Sequence, residues 1–271
     1  MASSAVSPTA KAPILGDKAP LKPPAPVEIL LRPARLSDAP IMGKLSRDAY
    51  DLNAVTYFLT PKARDFPEDC IRNHRQTIRR RFFNPRFVSI VAYLPSDPAT
   101  PVGFGQFCRL GNDEGAKQFI RDRGLHVRIW MFVLSWFFHF YHLVENMIYP
   151  DRITDKDAMK EFDSWVAEDD EIHWKSHPER HNRWHASSII VSPHMQGKGV
   201  GRRIMTEGMI LAQRERVIMG LTASIEGEWL YRKLGFELLG RFTHEVPQDG
   251  HEVGTGGGRM IWYPEGTDPK R

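Results

Sequence analysis

Residues 189–203 read IIVSPHMQGKGVGRR, and they constrain the fold of this chain more than any other stretch. The β-branched run at 189–191 predicts a buried strand, and Pro193 predicts where that strand ends. The loop that follows has glycine at every second position: Gly197, Gly199 and Gly201. The pattern of residues 202–214 then predicts a helix. A strand, a glycine loop and a helix in this order indicate an α/β protein.

The chemistry of this loop suits an anion. Because glycine lacks a Cβ, a ligand can approach the backbone closely, and successive N–H groups can converge on one anion. The start of the next helix adds a partial positive charge, and Lys198, Arg202 and Arg203 add full charges. The G-x-G-x-G spacing is neither that of a P-loop nor that of a dinucleotide-binding fingerprint. The loop therefore predicts a phosphate site of another kind.

Two motifs together carry a family resemblance. Residues 196–201 read Q-x-x-G-x-G, and residues 230–236 read LYRKLGF, with a strand-like run at 217–222 between them. At this separation they resemble the acyl-CoA pyrophosphate loop and the second signature of the GNAT superfamily of N-acyltransferases. The resemblance implies a mixed, mostly antiparallel central sheet flanked by helices. It also implies acetyl-CoA as cosubstrate and direct acetyl transfer to a primary amine in a ternary complex.

The resemblance assigns roles to residues of this loop and its surroundings. The backbone of the predicted strand would pair with pantetheine at Ile189, Ile190 and Val191. The pyrophosphate would be held by Gln196, Gly197, Lys198, Gly199, Val200, Gly201 and Arg202. Tyr231 stands where the family has a general acid that protonates the thiolate, and its alternative is packing against Phe236. Ser224 stands where many members carry an asparagine that touches pantetheine.

The general base has several candidates. In one branch of the superfamily a glutamate stands eleven residues before the first loop position, and here that residue is His185. A histidine with an ordinary pKa of ~6.5 suits a base at neutral pH, although it could instead only hydrogen-bond at the strand end. Glu145, His139 and His142 are alternatives that would act through water.

The chain divides into a tail, a domain and a second tail. Residues 1–26 are rich in Ala, Ser, Lys and Pro and predict a disordered segment. One GNAT domain is expected over residues 27–264, followed by a polar tail at 265–271. Residues 111–183 lie between the third and fourth predicted strands and predict an inserted helical cap over the sheet.

The inserted segment contains an unusual run at residues 129–144, which is rich in aromatic residues and has no Asp, Glu, Lys or Arg. A membrane span needs ~20 apolar residues, and this run is shorter and includes histidines, so we expect a helix that is buried in the core or against a partner. Trp136 and Phe140 are expected to wall the acceptor pocket, with Glu145 beside them. We expect no membrane partner.

Charge and cysteine content exclude few classes of function. The net charge of +4 does not require nucleic acid, and the arginine-rich helix predicted at 68–83 lacks a repeated pattern of interleaved aromatics. That helix is expected to be a solvated face, with contact to the CoA 3′-phosphate or an acidic acceptor left open. The two cysteines, Cys70 and Cys108, form no metal or disulfide pattern and favour a cytoplasmic protein.

Four regularly spaced histidines do not lead us to predict a metal site. His173, His177, His181 and His185 lie four residues apart, but Pro178 would interrupt a helix that carried them. The main functional expectation is a small-molecule N-acetyltransferase without a metal. A protein lysine or N-terminal acetyltransferase and a non-catalytic CoA sensor stay open as alternatives, and so does a homodimer.

Overall fold

The computed structural model describes residues 27–51, 53–244, 246 and 257–267. Within these residues seven strands form one sheet in the order β1-β2-β3-β4-β5-β7-β6. The strands are β1 (Leu30–Pro33), β2 (Phe87–Leu94), β3 (Asp97–Leu110), β4 (Arg183–Val191), β5 (Ile218–Ala223), β6 (Glu237–Gly240) and β7 (Gly258–Trp262). Only β4 and β5 pair in parallel among them. The predicted mixed, mostly antiparallel sheet is confirmed, whereas the tail predicted at 1–26 and residues 268–271 lie outside the described residues.

The helices are α1 (Ala39–Tyr50), α2 (Ala54–Leu59), α3 (Pro67–Phe82), α4 (Glu114–Arg121), α5 (Leu125–Ile148), α6 (Lys156–Asp170), α7 (Val200–Glu215) and α8 (Ile225–Lys233). The prediction of an irregular segment at 51–67 is wrong where α2 forms. Asn53 caps this short helix, because its side-chain oxygen accepts from the Val55 N–H at 2.9 Å. The arginine-rich helix predicted at 68–83 is confirmed as α3.

Helices cover both faces of the sheet. On one face α7 buries Val200, Ile204 and Met205 against Phe107 of β3. On the other face α1 and α3 cover a second apolar cluster, which includes Met42, Ile78, Phe104 and Ile190. Successive residues of β4 point to opposite faces, so this strand contributes to both layers of the core.

The predicted phosphate site lies at the end of β4, and this strand pairs with β5 over only part of its length. Its parallel pairing with β5 runs from Arg183 to Ala186 and stops there. On the other side β4 stays paired with β3 as far as Val191, with a register shift that leaves Ser187 as a bulge. The two parallel strands therefore part after Ala186, and a cleft opens in the sheet.

The insertion covers the sheet with its second half, not with its apolar helix. After α6 a single π-helical turn, Glu171–Lys175, buries Trp174 completely. Its ring lies so close to Gly220 of β5 that a Cβ there would be 2.5 Å from the indole. The expectation that the insertion packs its apolar helix over the sheet is wrong, because α5 contacts α3 along one stripe and exposes most of its circumference. Burial of α5 against a partner stays a prediction.

The same helix is longer than the charge-free run that the sequence shows. It has 24 residues with a mean hydropathy of 1.3 in its most apolar window, of which 11% is buried. By length and composition alone, α5 could therefore cross a membrane. The expectation of no membrane partner stays a prediction.

Candidate active site

The glycine loop of residues 196–201 has the conformation that an anion site requires. Gly197 and Gly199 have φ angles of 73° and 84°, in the left-handed region that favours glycine. A Cβ at either position would meet nothing within 4 Å, so packing does not explain these glycines. The helix α7 begins directly after Gly199, and its first amide groups have no partner inside the helix. The backbone here is open to a ligand.

Positive side chains surround this loop. Lys198, Arg202 and Arg203 are all exposed to solvent. A surface cavity of about 320 Å³ lies beside them, lined by Val27, Ile29, Gly199, Arg202, Arg203 and Thr206. The N-terminus of α7 adds the positive end of its dipole. The structure thus brings the predicted phosphate-binding residues, Gln196 to Arg202, around one electropositive rim.

The loop stands at the mouth of the cleft between β4 and β5. On the side of β3, Ile189, Ile190 and Val191 pair with Gly105, Phe104 and Gly103. On the opposite side no described strand pairs with these three residues. That backbone edge is therefore available to an extended ligand.

Tyr231 lies in α8 and is 9% exposed. Its ring packs edge-on against Phe236, with the ring centroids 5.9 Å apart, as its alternative interpretation predicts. Burial, and to a lesser extent the phenol of Tyr50, raises the pKa of Tyr231. Its hydroxyl therefore stays protonated at neutral pH and can donate a proton.

Ser224 has a structural task at the end of β5. It caps α8, because its hydroxyl oxygen accepts from the Gly227 N–H at 3.2 Å. A contact between Ser224 and pantetheine stays a prediction.

His185 lies on β4 just before the two strands part, opposite Cys108 and Gly220. Its ring meets the Trp174 indole edge-on at 6.3 Å. Burial, assisted by nearby Arg183 and two further arginines, lowers the pKa of His185 to about 3. The imidazole is neutral at pH 7 but accepts a proton weakly. His173 lies in the π-helical turn, so the row of histidines does not share one helix.

Comparison with known proteins identifies the family. Residues 160–238 match the family model of an acetyltransferase (GNAT) domain. The chain therefore contains a segment similar to an acetyltransferase domain of the GNAT superfamily. The matched segment runs from α6 to β6, so it includes the open edge of β4, the glycine loop and Tyr231. No curated protein sequence matches the chain.

Solved structures share the fold at low sequence identity. A protein from Corynebacterium glutamicum described as histone acetyltransferase HPA2 and related acetyltransferase is 16% identical, with a TM-score of 0.52 over 87% of this chain and 96% of that one. Arylalkylamine N-acetyltransferase 2 from Aedes aegypti is 12% identical, with a TM-score of 0.52 over 87% and 98%. A phosphinothricin acetyltransferase from Sinorhizobium meliloti in complex with AcCoA is 16% identical, with a TM-score of 0.45 over 88% and 90%.

The GNAT domain also contains a polar cluster that the sequence did not reveal. Arg81, at the end of α3, donates from Nη1 to Gln106 Oε1 at 3.0 Å and to Ser188 Oγ at 2.7 Å. Both partners are neutral, and no carboxylate of the described chain forms an ion pair with this guanidinium. Ser188 belongs to the part of β4 that β5 leaves, so Arg81 places a positive charge beside the cleft.

Two rings stand near this arginine. Tyr50 stacks on His74 with ring centroids 5.8 Å apart. Burial, assisted by Arg81, lowers the pKa of His74 to about 4. The only signal in the sequence was the excess of arginine in α3, and helical spacing does not tell which arginine faces a cleft.

The acceptor residues predicted on the GNAT insertion lie elsewhere. Trp136 and Phe140 are 50% and 58% exposed, and the rings beside them belong to the same helix. Glu145 is buried, and it accepts from Arg75 Nη2 at 2.5 Å and from Gln76 Nε2 at 2.9 Å. This carboxylate ties α5 to α3. A role of the three residues in acceptor binding stays a prediction without support from their positions.

The two histidines of α5 that were alternative candidates for the general base, His139 and His142, also lie away from the predicted site. His139 is exposed on the helix surface. His142 is buried against α3, and burial lowers its pKa to about 4. Neither location gives these histidines contact with the open edge of β4.

Proposed function

We propose that this acyltransferase uses acetyl-CoA to acetylate the primary amine of a small-molecule acceptor by direct attack in a ternary complex. One observation carries the proposal: an edge of β4 that no strand of the described residues pairs with runs directly into a glycine loop with open, left-handed Gly197 and Gly199. An extended thioester with a diphosphate at one end matches a free strand edge that leads to an anion site.

The residues present fit coenzyme A at this site. The amide groups of residues 197–201 and the start of α7 would hold the diphosphate. Lys198, Arg202 and Arg203 would neutralise it and the 3′-phosphate, since they are exposed around the same rim. The edge of residues 189–191 would pair with the amides of pantetheine. The thioester would then lie where β4 and β5 part.

The chemistry needs little from the protein beyond positioning and proton transfer. Holding an amine and a thioester in line can remove ~7–11 kcal/mol from the barrier. The nitrogen forms a bond to the carbonyl carbon, and an amide group on the β4 edge would donate to the oxyanion. The carbon–sulfur bond then breaks, and the protonated phenol of Tyr231 would donate to the leaving sulfur. The excess proton on the new amide nitrogen would pass to the phenolate, directly or through water, and so restore the phenol.

The incoming amine must lose a proton before it attacks. We propose His185 as the acceptor of this proton. With a pKa of about 3 the imidazole is a weak base, so loss of the proton to water competes with transfer to His185. Removal of His185 should therefore cost less than the ~10²–10⁴-fold typical of a general base.

The acceptor side favours a substrate with an acidic group near its amine. Arg81 keeps its charge at neutral pH, and among the described residues its partners Gln106 and Ser188 do not compensate that charge. A carboxylate is the group that a guanidinium binds best, through charge-assisted and often paired hydrogen bonds. A small amino acid or a related amino carboxylate fits this arrangement.

A turnover assay separates the possible functions. Release of free CoA from acetyl-CoA, detected with a thiol reagent, would be measured with amino carboxylates, neutral arylalkylamines and lysine-containing peptides. We expect fastest turnover with the amino carboxylates. Turnover confined to peptides would indicate a protein acetyltransferase, and CoA uptake by calorimetry without any turnover would indicate a sensor. Absence of CoA uptake would overturn the proposal altogether.

A further inference from the structure

The helix α5 carries an exposed apolar face on the side opposite α3. The stripe that holds it to the protein includes Phe138, His142 and Glu145, which face α3 or its end, and the buried Met131. Half a turn away, the helix presents a largely apolar half to solvent, with the exposed His139 at its margin. Between Arg128 and Glu145 the helix contains no charged residue. This half therefore lacks the charges that normally keep a surface helix in water.

The face has the spacing of a helix–helix seam. Its central residues follow one another at steps of four, three, four, three and four, and all are exposed: Ile129, Val133, Trp136, Phe140, Leu143 and Met147. Alternating steps of four and three define the a and d positions of a heptad, which face a second helix in a coiled coil. A lipid surface needs an apolar half but does not require this spacing.

The size of the face also fits a protein interface. Aromatic side chains bury roughly 150–250 Å² each, so a half-exposed face of this composition offers on the order of 1,000 Å² per chain. The largest apolar patch on a typical monomer is only about 300–600 Å². Two such faces would bury about 2,000 Å² together, which is the range of stable homodimers.

The seam is complementary to itself when one copy runs antiparallel to the other. Reversal about position 138 pairs Trp136 with Phe140 of the second copy, and Val133 with Leu143 in the same way. Large rings then lie at the centre, with smaller side chains outside them. A parallel pair would instead place the two helix dipoles side by side in the same direction, which is unfavourable.

We infer that this chain forms a two-fold homodimer in which the α5 helices of two copies pack antiparallel along this seam. The contact is isologous, because the same residues serve both copies and the assembly closes at two. The ion pair of Glu145 with Arg75 fixes α5 to its own domain, so the dimer holds two catalytic domains in one orientation. The inference is independent of the acetyl acceptor.

Sedimentation velocity of the full chain tests the dimer. We expect a dimer for the native protein and a monomer for Trp136→Glu, with the dissociation constant raised about 30-fold or more, as for a hot-spot side chain. Trp229→Glu is the matched control, because Trp229 is 64% exposed on α8, away from the seam, and should leave the dimer intact. Since Trp136 is exposed, circular dichroism should show both variants folded.

A second experiment tests the register. Under oxidation, a mixture of Trp136→Cys and Phe140→Cys chains should form a cross-linked dimer more readily than either variant alone. Both native cysteines are buried and do not compete. A native monomer at about 100 µM, a Trp136→Glu dimer, or preferential cross-linking of Trp136→Cys chains to one another would each overturn the inference. So would a monomer that co-sediments with phosphatidylcholine–phosphatidylserine vesicles through Trp136, because α5 would then be a lipid-binding helix.

Discussion

The helices α7 and α5 show opposite relations between apolar content and burial. α7 carries charged residues on much of its surface, yet Val200, Ile204 and Met205 are fully buried against the sheet. α5 is far more apolar, yet Trp136 and Phe140 are exposed. The apolar content of a helix indicates how much of its surface should be buried. It does not indicate which other element, or which other chain, buries that surface. For α7 the cover is β3 and β4 of the same domain, and for α5 we infer a second copy.

The largest effect is expected at the start of α7. Gly199→Val forces a branched side chain into a left-handed backbone and into the open space that the diphosphate would occupy. We expect CoA affinity to fall by about 100-fold or more, since the amide cradle has to change shape. Isothermal titration calorimetry with CoA measures this loss.

Gly266→Val is the matched control for this variant. Gly266 has φ 80° and nothing within 4 Å of an added Cβ, but it lies in a turn that contacts Gln213, near the far end of α7. Both variants should lose similar stability, about 1–3 kcal/mol for a strained residue. Equal CoA affinity in the two variants would show that the loop does not bind the cofactor.

The second effect concerns Tyr231, the residue that we propose as proton donor. Tyr231→Phe keeps the ring that packs on Phe236 and removes the hydroxyl. We expect kcat to fall about 10²-fold, in the lower range for loss of an acid catalyst, while CoA affinity is unchanged. Steady-state kinetics and calorimetry separate the two quantities. A variant with native kcat would leave Tyr231 as a packing residue only.

The two helices also explain what the sequence can and cannot predict. The strand, loop and helix around residues 189–214 depend on local signals, such as glycines at positive φ and a β-branched run, and the sequence predicts them correctly. Burial of α5 would depend on the second copy that we infer, and local sequence carries no signal for such a partner. Arg81 was missed for a related reason, because its contacts with Gln106 and Ser188 join residues that are distant in sequence.

Acidification should reveal the buried histidine beside the cleft. The pKa of His185 is about 3 in the folded chain against an ordinary value of 6.5. Between these values the unfolded chain binds a proton that the folded chain does not, so the free energy of unfolding decreases as pH falls below 6.5. From about pH 6.5 to about pH 5 the loss should be about 2 kcal/mol.

The His185→Gln variant should show a smaller loss of stability over this range. Urea unfolding at about pH 7 and about pH 5 measures the difference, and His194→Gln is a control at an exposed position. His74 contributes in the same direction, since its pKa is about 4. An unchanged slope in His185→Gln would mean that this imidazole titrates normally in the folded chain.

A smaller effect is expected at the acceptor side of the cleft. Arg81→Gln removes the charge but keeps a donor for Gln106 and Ser188. We expect the KM of amino carboxylates to rise about tenfold, as for the loss of one charge-assisted hydrogen bond. The KM of neutral amines should stay the same. An equal rise in KM for amino carboxylates and neutral amines would mean that Arg81 stabilises the cleft but does not bind the acceptor's carboxylate.

The smallest effect on catalysis is expected from substitutions on α5. Its size tells whether α5 contributes to the site that begins at α7. Trp136→Ala and Phe140→Ala remove rings that lie outside the described cleft. We therefore expect the acceptor KM and kcat to stay within about twofold, since surface substitutions away from a site rarely cost more than ~0.5 kcal/mol. A clear rise in acceptor KM with native CoA affinity would instead show that α5 reaches an acceptor pocket.

Because these variants should also weaken the dimer, the kinetics should be measured at protein concentrations above and below the dissociation constant of the native dimer. A KM that changes only with the oligomeric state would mean that the second copy completes the site.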